Sequence, residues 1–167
     1  MMYKNIVSIK IYLILFFFIT VLKTQAQCEF TEVLRADGSL NRNYEYDTIF
    51  LSDSMNIDMS LSFQGALRTL RVEFEYNDTL KARSYKDIYL QLEDSTIVEM
   101  QFLSSSKELA NGKTTCLYDI NKRDLGFLER YKIVYFIYNR KNNTRATLLL
   151  TTNQDILIKQ LECVRKK

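Results

Sequence analysis

Two segments in the middle of the chain alternate strictly between apolar and polar residues. In residues 55–63 and again in 70–76, every second residue is apolar and the residues between them are polar. A period of two places the apolar side chains on one face of an extended strand. Both segments are therefore predicted to be half-buried antiparallel strands. The connection over residues 64–69 contains Gly65 and is short enough for a hairpin.

A second hairpin is predicted over residues 88–102, where apolar residues again recur at alternate positions. Matching the two apolar faces across the pair places Leu90 opposite Val98. The loop is then residues 93–95, and a three-residue loop of this kind holds its third residue in the left-handed conformation. Glycine would suit that position better than Ser95 does, so mild strain is expected there.

The rest of the chain gives shorter signals. Strands are predicted at residues 114–120, 132–138 and 145–151, a polar loop at 104–113 and a short helix at 124–130. The segment 132–138 is apolar on both faces, which suits a central strand.

Near the C-terminus the period becomes helical. Leu157, Leu161 and Val164 recur at helical spacing, and Asn153 is a suitable N-cap for a helix near residues 154–165. The predicted fold class is α+β and predominantly antiparallel β. It is a sandwich-like or curled sheet of about seven to nine strands with the short helix near 124–130 and the C-terminal helix packed on the sheet.

The N-terminal segment 1–26 has the three-part layout of a secretory signal peptide. It contains three lysines and no acidic residue, and a basic start leads into the mainly apolar run IYLILFFFITVL at residues 11–22. Thr24 and Ala26 occupy the small-residue positions before a cleavage site. The run is shorter than the roughly 20 apolar residues of a transmembrane helix. Cleavage after Ala26 is expected, which would leave residues 27–167 as a single β-rich domain with no stable membrane span, periplasmic or secreted.

Removal of this segment changes the charge balance. The whole chain has 23 lysines and arginines against 20 acidic residues, and three of those lysines lie in residues 1–26. The mature chain would then carry 20 basic and 20 acidic residues, so its overall charge gives no argument for nucleic acid. Lipidation of Cys28 is not expected, because the residue before it is Gln27 and not a small residue.

Three cysteines, Cys28, Cys116 and Cys163, permit three single disulfide pairings in an exported chain. We favour Cys28 with Cys163, which would tie the N-terminal arm to the C-terminal helix. The alternative is that all three are reduced and that Cys116 is simply buried. The wide spacing and the absence of histidine make a metal site improbable, and no cofactor is expected.

The order of these elements also resembles a known group. The segment DIYLQLEDSTIVEMQF is followed by LYDINKRDLGFLERYKIVYFIY and then by a helix that ends in LEC. This order resembles small exported β-rich proteins of unknown function from Gram-negative bacteria, which pair a similar hairpin with a cysteine-bearing C-terminal helix. The resemblance covers residues 86–164 and implies the fold and the compartment, but no activity. Ser95 departs from the glycine usual in the turn of that group.

Candidate catalytic groups are few. The lack of histidine excludes Ser-His-Asp and Cys-His nucleophile pairs. Carboxylates occur in two groups, Glu73 with Glu75 on one strand face and Glu93, Asp94 and Glu99 around a hairpin end, and paired carboxylates can serve as acid and base in a hydrolase. On an alternating strand the polar face is normally solvated, so this hypothesis is the weakest one. The serines at 104–106 followed by a lysine have no strained turn around a nucleophile, and a flexible loop is the better interpretation.

A mixture of aromatic and basic residues follows the short helix. Tyr135 shares a face with Ile133 and Ile137 in a regular strand, which assigns part of this set to the core. Tyr138 and Arg140 remain as a possible ligand surface for a sugar or a peptide. The leading hypothesis is an exported non-enzymatic domain that binds a protein or glycan partner at the cell envelope. The alternatives are a structural envelope component that self-associates without a ligand and a carboxylate-dependent hydrolase.

Overall fold

The computed structural model describes residues 28–36, 38–65, 67–76, 86–106, 113–139 and 144–165. The predicted signal peptide and Arg140 lie outside them. The described residues form ten strands and two helices: β1 (Phe30–Leu34), β2 (Leu40–Tyr44), β3 (Asp47–Leu51), β4 (Met55–Gln64), β5 (Leu67–Tyr76), β6 (Ile88–Leu92), β7 (Ile97–Ser105), β8 (Lys113–Asp119), α1 (Lys122–Leu128), β9 (Ile133–Asn139), β10 (Arg145–Leu149) and α2 (Ile156–Arg165).

All pairings between these strands are antiparallel. Their order in the sheet is β1-β2-β4-β5-β8-β7-β6-β9-β10, and β3 pairs with β4 beside β2. The predicted antiparallel α+β class is confirmed, with ten strands in the described residues where about seven to nine were expected. The strands without a strong sequence signal are β1, β2 and β3, each five residues long.

The sheet curls so that the inner face of one half packs against the inner face of the other half. Strand β7 joins the two halves, because residues 97–100 pair with β6 and residues 101–105 pair with β8. The Phe74 ring on β5 lies 6.0 Å from the Phe136 ring on β9, although three strands separate β5 from β9 in the sheet. The apolar residues of the alternating strands meet between these faces and form the buried core.

The first predicted hairpin is confirmed. Strands β4 and β5 pair over ten residues each, from Met55 opposite Tyr76 to Gln64 opposite Leu67. The strands extend closer to the turn than the sequence indicated, so the connection is residues 65–66 and not 64–69. Gly65 has a φ of 56° there, in the left-handed region that two-residue hairpin turns require.

The second hairpin also has the predicted register, with Leu90 opposite Val98. Ser95 has a φ of 70°, so the expected left-handed residue is confirmed. The turn is closed by a hydrogen bond of 3.0 Å from the Ser95 N–H to the Leu92 carbonyl. The Asp94 carboxylate stabilises the same turn by accepting hydrogen bonds from the backbone N–H and the hydroxyl of Thr96.

Replacing Ser95 by glycine is expected to stabilise the protein by about 1 kcal/mol. Glycine adopts a positive φ without the steric cost of a Cβ atom, and this gain exceeds the extra freedom that glycine has in the unfolded chain. Urea denaturation of the wild type and of Ser95→Gly measures the difference. Thr96→Gly is the matched control, because it removes the hydroxyl group that donates to Asp94 and should therefore destabilise the protein.

The two helices differ slightly from their predicted ranges. Helix α1 spans Lys122–Leu128 and not 124–130, because Asn121 caps it by accepting a hydrogen bond from the Arg123 N–H at 3.1 Å. Helix α2 begins at Ile156, and the prediction of Asn153 as its N-cap is wrong. Asn153 has a φ of 44°, and its side-chain amide donates to the Thr48 carbonyl at 2.9 Å.

The disulfide joins Cys28 to Cys163, with their Cα atoms 5.5 Å apart, so the favoured pairing is confirmed. It connects the residues before β1 to the second half of α2. Cys116 is buried on the inner face of β8 and takes no part in the disulfide. Burial raises the pKa of its thiol to about 11, which keeps the thiol protonated and unreactive at neutral pH.

Candidate binding surfaces

The paired carboxylates on β5 are engaged in an ion-pair cluster. Lys113 on the neighbouring strand places its Nζ 3.0 Å from Glu73 Oε1 and 3.4 Å from Glu75 Oε2. The pKa of Lys113 is raised mainly by its hydrogen bond to Glu73. A cation shared by both carboxylates leaves neither of them placed as a separate acid or base, so this arrangement favours a structural role on the outer face of the sheet.

The second group of carboxylates does not converge either. Glu93 accepts a hydrogen bond of 3.2 Å from the Lys132 N–H, which joins the hairpin turn to the start of β9. Asp94 is used within the turn, and Glu99 is exposed on β7 opposite Tyr89. The described part of the chain therefore does not bring these carboxylates into one pocket. Among the serines at 104–106, the Ser106 hydroxyl accepts a hydrogen bond from the Thr115 N–H at 3.0 Å, and residue 107 lies outside the described range.

The predicted ligand surface needs a correction at Tyr138. Its side chain is only 4% exposed, and its hydroxyl lies 3.9 Å from the Met55 sulfur within the core. The cause is an irregularity in the pairing of β6 with β9, where Leu92 pairs with Ile133 but Gln91 pairs with Tyr135. One residue of β9 between these two pairs is skipped, which reverses the alternation of inward and outward side chains along the rest of the strand. Tyr138 therefore faces inward and Tyr135 faces outward. The expectation that Tyr135 shares a face with Ile133 is wrong for the same reason.

The outward side chains of four neighbouring strands form a distinct surface, which we call the tyrosine face. Its members alternate with buried residues on β7, β6, β9 and β10. They are Ile97, Glu99, Tyr89, Gln91, Tyr135, Ile137, Arg145, Thr147 and Leu149.

Strand pairing places these side chains in rows that cross the sheet. One row is Ile97, Gln91, Tyr135 and Leu149, and the next is Glu99, Tyr89, Ile137 and Thr147. Arg145 lies two residues before Thr147 in β10, and its side chain reaches across β9, where its guanidinium carbon lies 4.9 Å from the centre of the Tyr89 ring. This is a cation–π contact at the centre of the face.

Each margin of the tyrosine face carries one protruding apolar side chain and one charged side chain, and the two charges are opposite. Ile97 on β7 is 58% exposed and Leu149 on β10 is 53% exposed, so an apolar side chain protrudes at each margin. The acidic Glu99 lies on the β7 side, and the basic Arg145 is carried by β10. Half-buried tyrosines grouped with exposed arginine and aliphatic side chains are the composition of interface cores.

A second surface is a groove of about 290 Å³ beside helix α2. Its lining residues are Glu29, Tyr44, Glu45, Tyr46, Asp47, Asn153, Ile156, Lys159 and Gln160. Lys159 pairs with Asp155 at 3.0 Å. Gln160 is 5% exposed, and its side-chain amide accepts a hydrogen bond from the Leu61 N–H at 2.7 Å and donates one to the Glu45 carbonyl at 3.0 Å. The Gln160 side chain on the inner wall of the groove thus holds α2 on the sheet.

Metal binding and membrane insertion would each require a specific feature among the described residues. In that part of the chain, no three histidine, cysteine or acidic side chains are grouped so that they could hold a metal ion. Neither of the two helices in it combines the length and the apolar character needed to cross a membrane.

The tyrosine face was only partly accessible from sequence. Tyr135 and Arg145 belong to the aromatic and basic mixture that the sequence indicated, but Tyr89 and Ile97 lie on a different hairpin. Their outward positions follow from the alternation of the hairpin. Their proximity to Tyr135 depends on the pairing of β6 with β9, which no local pattern encodes.

Comparison of the chain with protein-family models, with curated proteins and with solved structures found no match. The resemblance to exported Gram-negative proteins therefore stays a prediction.

Proposed function

We propose that this protein is an exported, non-enzymatic domain that binds a partner at the cell envelope, a protein or a glycan, through its tyrosine face. The observation that carries the proposal is the grouping of Tyr89, Tyr135 and Arg145 with two protruding aliphatic side chains on one sheet face. Tyrosine and arginine dominate the energetics of protein interfaces because they combine a large contact area with a polar group.

Two further observations support export. A disulfide between Cys28 and Cys163 is compatible with an oxidising compartment, because cytosolic reductants keep most thiols reduced. The N-terminal segment has the composition of a signal peptide. A disulfide-closed β-rich domain is a suitable scaffold at the envelope, where conditions vary more than in the cytosol.

A non-enzymatic role is supported by the engagement of the candidate catalytic groups. Glu73 and Glu75 share Lys113, while Glu93 and Asp94 accept hydrogen bonds that shape the hairpin turn. A general acid and base pair in a hydrolase needs two carboxyl groups facing one substrate across a cleft. The alternative, a structural envelope component that self-associates, would use the same tyrosine face. It would bind another copy of this chain through that face.

The test is retention of envelope components from a native extract on immobilised mature protein. The wild type is expected to retain a defined component, and Tyr135→Ser combined with Leu149→Asp is expected to reduce retention about tenfold or more, because both substitutions remove apolar contact area from the face. Leu67→Ser is the matched control, since Leu67 is 59% exposed at the β4–β5 turn, away from the tyrosine face. Equal retention by all three proteins would contradict the proposal.

A further inference from the structure

We infer that the partner bound by the tyrosine face is a second copy of this chain, held face to face about a two-fold axis that runs parallel to the strands between β6 and β9. The inference rests on the proposed use of this face and specifies its partner. A two-fold interface must be self-complementary, because the same patch is presented by both copies. The rows of the tyrosine face satisfy that condition.

Consider the row that crosses the sheet through Tyr135. The two-fold axis places β7 of one copy over β10 of the other, and β6 over β9. Ile97 then meets Leu149, and Gln91 meets Tyr135. The two most exposed apolar side chains of the face, 58% and 53% exposed, therefore cover one another. This contact occurs twice in the dimer. Aligned packing of two sheets in this manner is the geometry of β-sandwiches.

The second row supplies the charge complementarity. The same axis brings Tyr89 over Ile137 and brings Glu99 over Thr147, which is next to Arg145 on the outward side of β10. An arginine side chain is long enough to reach a carboxylate one position along the strand. Arg145 would exchange its contact with Tyr89 for an ion pair with Glu99 of the second copy. Two such pairs form in the dimer, one at each side.

A glycan is a poorer occupant of this surface. The protruding residues at the margins, Ile97 and Leu149, are aliphatic and offer no hydrogen bonds to hydroxyl groups. In the dimer, each margin would hold one apolar pair and, next to it, one acid–base pair. This arrangement matches the composition of protein interfaces.

The size of the face sets the expected strength. Four strands about 4.8 Å apart, with rows about 7 Å apart along the strands, give a footprint of roughly 400 Å² per copy. The total buried area is then about 800 Å², which belongs to the class of weak, transient complexes below about 1,200 Å². The dimer is expected to dissociate in the micromolar range and to depend on concentration.

Charge reversal provides a sharp test. Mature protein is examined by analytical ultracentrifugation from low micromolar to several hundred micromolar concentration. The wild type is expected to dimerise, while Glu99→Arg and Arg145→Glu are each expected to weaken the dimer about tenfold or more, because each creates two like-charge contacts. The double variant is expected to dimerise again. An equimolar mixture of the two single variants is expected to form a heterodimer, since both of its contacts then join opposite charges.

Glu162→Arg is the matched control, because Glu162 is exposed on α2, away from the tyrosine face. Thermal unfolding of every variant identifies any loss of folding. A wild type that stays monomeric at all concentrations overturns the inference, as does a dimer that both reversals leave intact. If the monomer still retains an envelope component through Tyr135, the proposed function stands and only the identity of the partner is wrong. If it retains nothing, both fail.

Discussion

Replacing both Cys28 and Cys163 by serine is expected to lower the free energy of unfolding by about 5 kcal/mol. The disulfide closes a loop with a sequence separation of 135 residues, nearly the whole described chain, and the entropy that a cross-link removes from the unfolded chain increases with loop length. Domains of this size are stable by about 5–15 kcal/mol in total. The variant should therefore be marginally folded, as measured by urea denaturation followed by circular dichroism.

Reduction supplies the control for this experiment. Dithiothreitol should destabilise the wild type to the level of the double variant and should have no effect on the variant itself. The folded, oxidised protein should give no rapid reaction with a thiol reagent at pH 7, because burial raises the pKa of the Cys116 thiol to about 11. A difference of less than about 1 kcal/mol between oxidised and reduced protein would contradict the expected effect of the cross-link on the unfolded chain.

The parts of the fold that sequence predicted are those whose determinants are local. In β4 the alternation extends over nine residues, 55–63, and in β5 over seven, 70–76, which fixes both the strand type and the buried face. The left-handed conformation of Ser95 followed from loop length alone, because matching the two apolar faces left three residues for the turn.

The misassigned parts depend on contacts between distant segments. Tyr138 was placed on the surface because a regular alternation was assumed, and the irregularity opposite Leu92 reverses the faces after Ile133. The limits of α1 were displaced because a seven-residue helix contains too few apolar positions to define its period. Strand β2 is mostly polar and becomes a strand because it pairs with both β1 and β4.

The tyrosine face illustrates the same division. Each of its strands has a recognisable alternation, so the outward position of Tyr89 or Thr147 follows from the sequence. The order β7-β6-β9-β10 is what makes these residues neighbours, and that order joins segments separated by up to about fifty residues of chain. A binding surface made of outward residues on four strands carries no contiguous motif.

A second large effect is expected at Gln160, which fills a gap in the sheet. Strand β4 pairs with β3 up to Met59 and with β2 from Ser62, so the backbone around Leu61 faces neither strand. Gln160 completes this edge from α2, because its side chain accepts from the Leu61 N–H and donates to the Glu45 carbonyl. The side-chain amide thus replaces the backbone partner that a neighbouring strand would supply, and it fixes the position of α2.

Gln160→Ala is expected to lower the free energy of unfolding by about 2–4 kcal/mol. Two backbone groups lose their partners next to the core, and a buried polar group without a hydrogen bond costs about 1–3 kcal/mol. Gln154→Ala is the matched control. The Gln154 side chain donates a hydrogen bond to the Leu150 carbonyl at 2.6 Å and is less buried than Gln160, so a loss of about 1 kcal/mol is expected. Equal losses in the two variants, measured by urea denaturation, would contradict the role assigned to Gln160.

Gln160→Glu separates hydrogen bonding from shape, because glutamate has nearly the same volume as glutamine. A protonated carboxyl group can still donate to the Glu45 carbonyl and accept from the Leu61 N–H, whereas the carboxylate cannot donate and is costly to bury. Burial raises the pKa of such a carboxyl group above its unfolded value of about 4.3. The destabilisation of the variant relative to the wild type should therefore be small near that pH, increase as the pH rises through the folded-state pKa and remain constant above it. Urea denaturation of the two proteins between pH 4 and pH 8 measures this difference, and a difference that does not depend on pH would show that the side-chain amide at position 160 does not bridge the two backbone groups.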